Sequence, residues 1–578
     1  MHKDVFPRAE PAVFDSLAGL FTPVPEGCGR RGLAVLFVSP WGMEELCMRR
    51  YYRILAEDFA RRGIASLRFD LPGTANALDA PPENAGLKGW RAALQSAVRE
   101  LRALAGTDNI VLLGQGLGGS LAFLEAPALS GLSGLILMAP VIRGRSYLRE
   151  LSLLATFIDN EMGVAEAVRD TAPGSIAGMR MPAEIAAEVK ELNLEKAPLP
   201  DAGLPVLMVA RSPEREGGLT AALEAAGSSV ETVPYEGYDH AVNSPLSQRI
   251  PAGLGDRLLA WLERLAAYGG APVRSGRPAQ VPPLAGEAFR ETPVRFGAGH
   301  DFFGTLCAPT GAPAGVAVLI LTTGYDPRSG WARSAVELAR RLAAAGVASL
   351  RFDSAGVGDT APVAGRRRQI LYDPVQGEDV AVAFDFLRST GLARRYMVMG
   401  RCSGAFVAFR AAVSDPRWDG CVAVNPPSFR WRFVGLPRRL SAYGQRLKNP
   451  GILASLLAGD VHVRAALRNI AVRLVDQTAG MLGKVLPPAV PFAHGSRGIR
   501  DDFRLLAARG TKVAIVYSQG DEGEEDCRIH FGPDGAGLTG FATVSLHALA
   551  QADHNVTPRA ARDAMFLLVE RQALALAP

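Results

Sequence analysis

Residues 397–409 read MVMGRCSGAFVAF. A short apolar run enters Gly400-Arg-Cys402-Ser-Gly404 and leaves into alanine-, valine- and phenylalanine-rich helical material. Small residues two before and two after a central nucleophile are what a tight strand-to-helix turn requires, because the chain must double back while lifting one side chain clear. Cys402 stands at that centre, and its thiolate would face the positive end of the following helix. Ser403 is one residue out of phase, with Arg401 rather than a small residue two places before it. A strand feeding such a turn belongs to a parallel sheet flanked by helices.

The same pattern occurs earlier. Residues 110–123, IVLLGQGLGGSLAF, align with it but place Gly116 where Cys402 stands. The repeat extends much further. LAVLFVSPWG from residue 33 aligns with VAVLILTTGY from residue 316, and LAEDFARRGIASLRFD from 55 with LARRLAAAGVASLRFD from 338, each pair 283 residues apart without a gap. Apolar runs in the first copy predict strands at 33–38, 64–69, 109–113, 133–138 and 205–210. In the second copy they predict 316–321, 347–352, 396–399, 420–424 and 512–517. Runs apolar on both faces and separated by amphipathic helices mean a doubly wound, mostly parallel sheet. TPVRFGAGHDFFGTLCAP, ahead of the second set, reads as a hairpin. The expected domains are 1–268 and 289–578, joined by a Pro- and Gly-rich linker over 269–288.

The bulk figures exclude several classes. The 578 residues carry a net charge of +5, too little to mark the whole chain as a nucleic-acid binder. Six scattered cysteines form no C-x-x-C pair, which argues against a zinc ribbon or disulfide framework and fits a reducing compartment. The N-terminal stretch lacks an apolar secretory core, and no apolar run reaches membrane-spanning length, so a cytoplasmic location is expected. GQGLGG also matches G-x-G-x-x-G, but it follows the third core strand and no acidic residue ends the next strand. That position does not suit a dinucleotide, and no cofactor or metal is expected.

A nucleophile needs a base, and the base needs an acid to orient it. Asp521 follows the strand KVAIVYS, and His554 lies in ADHNV after the last apolar run. Cys402, Asp521 and His554 are therefore the candidate triad, with Glu522, Glu524, Glu525 and Asp526 as other acids in the same loop. The amides of Ser403 and Tyr325 are candidates for the oxyanion hole. Tyr325 and Arg328 are candidate pocket residues. In the first copy, Glu214 and His240 correspond to the acid and the base, but Gly116 has no attacking atom. That half is expected to lack covalent catalysis.

GRCSGA, GD and ADH in this setting resemble the α/β-hydrolase superfamily, twice over. SPWGMEELCMRR, LRFDLPG and APVIRGRSYLREL in the first copy, with GYDPRSG and LRFDSAGVGDT in the second, are similar to small hydrolases of exosortase and exopolysaccharide loci. A cysteine nucleophile also resembles that of dienelactone hydrolases and some thioesterases. The resemblance implies a tandem of two α/β-hydrolase domains. It also implies acyl transfer through a covalent acyl-enzyme, to water as an esterase or thioesterase would, or to another acceptor as an acyltransferase would. A scaffold that uses both halves only as folds is the non-catalytic alternative. Insertions at about 141–204 and 426–510 would be lids. The second is rich in arginine and lysine, which suits an anionic or carrier-bound acyl substrate or peripheral membrane contact; as a plain alternative, it is a solvated basic face.

Overall fold

A computed structural model describes residues 7–266, 281–363, 371, 375–430 and 494–578. The expected linker falls partly outside these residues, as does most of the expected basic lid. The chain divides into two compact units, 1–313 with 324–368, and 314–323 with 369–578.

In the first unit, strands β1 (Glu10–Phe14), β2 (Leu17–Thr22), β3 (Ala34–Val38), β4 (Ala65–Phe69), β5 (Ile110–Gln115), β6 (Leu132–Met138), β7 (Val206–Ala210) and β8 (Val230–Pro234) form one sheet. Its order is β1-β2-β4-β3-β5-β6-β7-β8. β1, β2 and β4 pair antiparallel, and the remaining neighbours pair parallel. The central strands are buried on both faces because both faces are apolar. Leu36, Leu112 and Leu137 join a core on one side, and Val35, Phe37 and Leu113 a core on the other. The expected first insertion contributes helices Gly144–Glu161 and Ala183–Glu191.

The second copy repeats this order of elements: β9 (Leu284–Ala285), β10 (Phe289–Phe296), β11 (Phe302–Pro309), β12 (Val316–Leu321), β13 (Ala348–Asp353), β14 (Arg395–Arg401), β15 (Gly420–Val424), β16 (Lys512–Ser518) and β17 (Val544–Leu549). β9, β10, β11 and β13 lie in the first unit and run antiparallel, and the expected hairpin is β10–β11. β12, β14, β15, β16 and β17 lie in the second unit and run parallel in that order. The chain is thus a tandem α/β arrangement of two sheets. The described part of the second insertion ends in helix His494–Ala508. Among the described residues, no helix is long and apolar enough to cross a membrane.

Buried charge is concentrated at the ends of β4 and β13. The Asp359 carboxylate takes Arg328 Nη1 at 2.7 Å, Arg49 Nη1 at 3.3 Å and Arg68 Nη1. Arg328 also pairs with Asp353 at 2.7 Å and so belongs to this buried network. Burial alone would raise the Asp359 carboxyl. Arg68, Arg328 and Arg49 outweigh it and hold the group well below the usual carboxylate range. Its stabilising contribution is therefore present above the ordinary carboxylate pKa and is lost as pH falls toward the depressed value. Removing one member of such a cluster leaves buried charge uncompensated. Asp359→Ala is expected to cost about 3–5 kcal/mol in a urea melt at neutral pH, and a loss below 1 kcal/mol would contradict this reading.

Candidate active site

β14 ends at Arg401, and helix Ser403–Ser414 starts two residues later. Between them Cys402 adopts φ 52° and ψ −122°, a conformation rare for a side-chain-bearing residue. The flanking glycines make it possible. A β-carbon at Gly400 would lie 2.3 Å from the backbone of Gly404, and one at Gly404 would lie 2.5 Å from the Thr322 carbonyl. The Cys402 amide is tied to the Val424 carbonyl at 2.9 Å, fixing the turn to β15.

The structure brings Asp521 and His554 together. Asp521 follows β16, and its Oδ1 accepts the Gly523 amide at 2.8 Å. Its Oδ2 lies 2.6 Å from His554 Nδ1. Of the other acids in this loop, Asp526 accepts the Phe429 amide and Glu525 pairs with Arg528. Burial disfavours a charged Cys402. The hydrogen bond and charge of His554, the Arg401 guanidinium and the Ser403 amide outweigh burial and lower the thiol below its usual value. For His554, burial acts to lower the value, but its hydrogen bonds to Asp521 and Cys402 and the charges of both push it up to about 10. The two groups therefore favour a thiolate–imidazolium pair. Cys47, Cys307, Cys421 and Cys527 go the other way, since burial raises all four thiols.

Other residues that hold the site were not singled out from the sequence. Asn425, fully buried and at φ 48°, accepts the Ser518 amide at 2.7 Å. It donates to Ser518 Oγ at 2.9 Å and to the His554 carbonyl at 2.8 Å. Ser518 Oγ donates to the Asp553 carbonyl at 2.8 Å. Arg401 reaches the His554 carbonyl at 3.5 Å and also bonds Asn555 Oδ1. One amide and one guanidinium thus fix the loop that carries His554. A sequence signal existed in NPP after β15 and in the arginine beside the cysteine, but neither matches a catalytic motif. Ser403 provides the first amide of its helix. Tyr325 is half-buried, just after Gly324 at φ 57°, and belongs to the first unit whereas Cys402 belongs to the second.

The first copy keeps the turn and replaces its contents. Gly116 has φ 53° and ψ −125°, within a few degrees of Cys402. A β-carbon there would lie 2.2 Å from Glu44 Oε2. The buried Glu44 carboxyl accepts Tyr238 Oη at 2.6 Å and Gln115 Nε2 at 3.2 Å, while burial raises its pKa. His240 is exposed in the short helix Tyr238–Val242, and Glu214 is exposed in the first turn of helix Pro213–Ala225. Glu44 and Tyr238 therefore occupy the neighbourhood of this turn, and the expected Glu214 and His240 lie at the surface.

No family model matches the chain, and no curated protein matches it. Among solved structures, an esterase of Pyrococcus furiosus is 14% identical and covers 49% of this chain and 93% of its own, with a TM-score of 0.32. A dienelactone hydrolase of Anabaena variabilis is 14% identical over 50% of this chain and 100% of its own, with a TM-score of 0.31. A monoglyceride lipase of Saccharomyces cerevisiae is 15% identical over 46% of this chain and 97% of its own, with a TM-score of 0.30.

Two outcomes follow from this geometry. Iodoacetamide should label Cys402 at pH 6–7, well below the ordinary thiol value of about 8.5. Asp521→Asn weakens the imidazolium and should move the rise of that rate toward higher pH; an unchanged profile would contradict the pairing. Gly116→Cys introduces a β-carbon onto Glu44 and should destabilise the fold by about 1–3 kcal/mol. It should not create a second fast-reacting thiol, which peptide mapping after labelling would detect.

Proposed function

We propose that this chain is an α/β-hydrolase acting on an ester or thioester through a cysteinyl acyl-enzyme. The observation that carries the reading is the contact of His554 with Asp521 on one side and Cys402 on the other, at a turn that projects the sulfur from the sheet. The Cys402 thiolate attacks the substrate carbonyl, forming a C–S bond and placing negative charge on the carbonyl oxygen. The Ser403 amide receives that oxyanion. As the intermediate collapses, the bond to the alcohol or thiol breaks, and His554 gives its proton to the leaving group. Neutral His554 then takes a proton from water, which attacks the thioester and releases the acid and the thiolate. Asp521 holds the imidazole ring in the orientation both steps need.

In this reading the first half is a hydrolase-like domain without a nucleophile, and the second half carries the chemistry. The favoured substrate is a small or carrier-bound acyl compound, with an anionic character suited to the arginine-rich insertion. No cofactor enters the reaction. The neighbours that lower the Cys402 thiol favour its thiolate before substrate binds, which suits a thioester or activated ester more than an amide, whose leaving group needs stronger protonation.

Cys402→Ala should reduce turnover of a responsive ester or thioester by at least about 1000-fold. Rapid quenching of the unaltered protein with that substrate should leave the acyl mass on the peptide containing Cys402. Full activity in the alanine variant would overturn the proposal. Product analysis with added sugar or amine acceptors separates hydrolysis from acyl transfer, since only transfer depends on the acceptor.

A further inference from the structure

The chain leaves β15 at Asn425 and leaves the corresponding strand of the first copy, β6, at Ala139. Both residues stand at positive φ, 48° and 43°. The Asn425 amide bonds the Val516 carbonyl at 2.7 Å, and the Ala139 amide bonds the Val209 carbonyl at 2.9 Å. Val516 and Val209 are the strand partners of the residues just before, Val424 and Met138. Asn425 and Ala139 therefore hold the same place in the same backbone geometry and differ in side chain.

That difference decides what can be tied to the sheet. The Asn425 amide donates to the His554 carbonyl at 2.8 Å, where Ala139 offers only a methyl group. Arg401 bonds Asn555 Oδ1 and reaches the His554 carbonyl. In the first copy Gln115 stands in its place, and Ala241 follows the histidine where Asn555 does. Gln115 turns elsewhere, donating to Glu44 at 3.2 Å and accepting Tyr235 Oη at 2.8 Å. Ser518, two residues past Val516, donates to the Asp553 carbonyl at 2.8 Å. Arg211, two residues past Val209, lies instead over the ring of Tyr238. None of the three attachments is kept in the copy whose histidine is exposed.

His554 needs such attachments. Its side chain is 37% exposed, so packing alone leaves the ring free to turn away. Two donors on its carbonyl fix the main chain from which the ring projects. Asn425 is itself fixed: its oxygen accepts the Ser518 amide, which commits its NH2 group to Ser518 Oγ and the His554 carbonyl. A supporting side chain that is locked by its own hydrogen bonds can hold a reactive group to within a fraction of an ångström.

We propose that Asn425 and Arg401 are positioning residues that hold His554 against Cys402 and Asp521, and that their replacement by Ala139 and Gln115 released the first copy's histidine to the surface. This rests on the Cys402–His554–Asp521 reading given above. Neither residue touches a reacting atom; both act through the His554 main chain. The ionisable groups that face the His554 ring are Asp521 and Cys402, and the Arg401 guanidinium stands at its carbonyl.

The test gives the second copy the residues of the first. Iodoacetamide labelling of Cys402, followed by peptide mass as a function of pH, is compared in the unaltered full chain, Asn425→Ala, Arg401→Gln and the double variant. Alanine already occupies this backbone geometry at residue 139, so Asn425→Ala is compatible with the turn. Each single variant should lower the labelling rate at pH 6.5 by about tenfold or more. The double variant should move the rise of that rate to the ordinary thiol value of about 8.5. Val422→Ala, buried on the same strand, should lower the melting temperature and leave the profile in place. A folded Asn425→Ala or Arg401→Gln with the unaltered profile overturns the proposal, and Arg401→Gln decides it if Asn425→Ala does not fold. An equal shift in Val422→Ala also overturns it, because the effect is then one of stability. An ordinary thiol profile in the unaltered protein overturns both this inference and the triad reading. An acidic profile that the variants leave in place overturns this inference alone.

Discussion

A residue at φ 52° between a strand and a helix is the constraint on which the candidate site of the second unit depends. A side chain in that conformation is strained, and the strain persists only where surrounding structure leaves the chain no other course. Here the enclosing elements are close: Gly404 passes against the Thr322 carbonyl, and the Cys402 amide is tied to β15. The thiol is consequently held at the positive end of a helix and beside an imidazole. Its acidity is a property of the turn and its neighbours, since the buried cysteines elsewhere in the chain are driven the opposite way.

The first copy separates geometry from chemistry. Its turn has almost the same dihedral angles, built by Gly114 and Gly118 in place of Gly400 and Gly404. What changed is the occupant. Once residue 116 is glycine, space opens above the backbone, and the carboxyl of Glu44 fills it with Tyr238 and Gln115 as partners. The turn itself is held by the close packing of Gly114 against Gly118 and of Gly118 against the Ser39 carbonyl.

Much of this was legible in the residues because the signals were local or repeated. The ten core strands announce themselves as apolar runs, the first two pairs in register 283 residues apart, and they lie within a residue or two of their expected positions. Asp521 and His554 were legible because loops after parallel strands gather at one end of a sheet. The β1–β2 hairpin was not, since EPAVF and LAGLFT are short and carry weak alternation. Nor were Asn425, Ser518 and Arg401, whose role comes from hydrogen bonds between segments distant in sequence. His240 aligned with His554 letter for letter, yet a short helix in place of an open loop leaves it at the surface. Pairwise identity cannot report which way a loop turns.

The buried network around Asp359 also bears on how this duplication can be divided. Arg49 and Arg68 come from the first copy of the repeat, while Asp359, Asp353 and Arg328 come from the second. Arg351 in turn reaches Asn76. Severing the chain within 269–288 would give two fragments, each exposing charged side chains that had been matched to the other. Neither fragment would inherit a complete interior. The repeat thus looks modular when written as letters, whereas its electrostatics are shared, and gene duplication here has produced one cooperative folding problem in place of two independent ones.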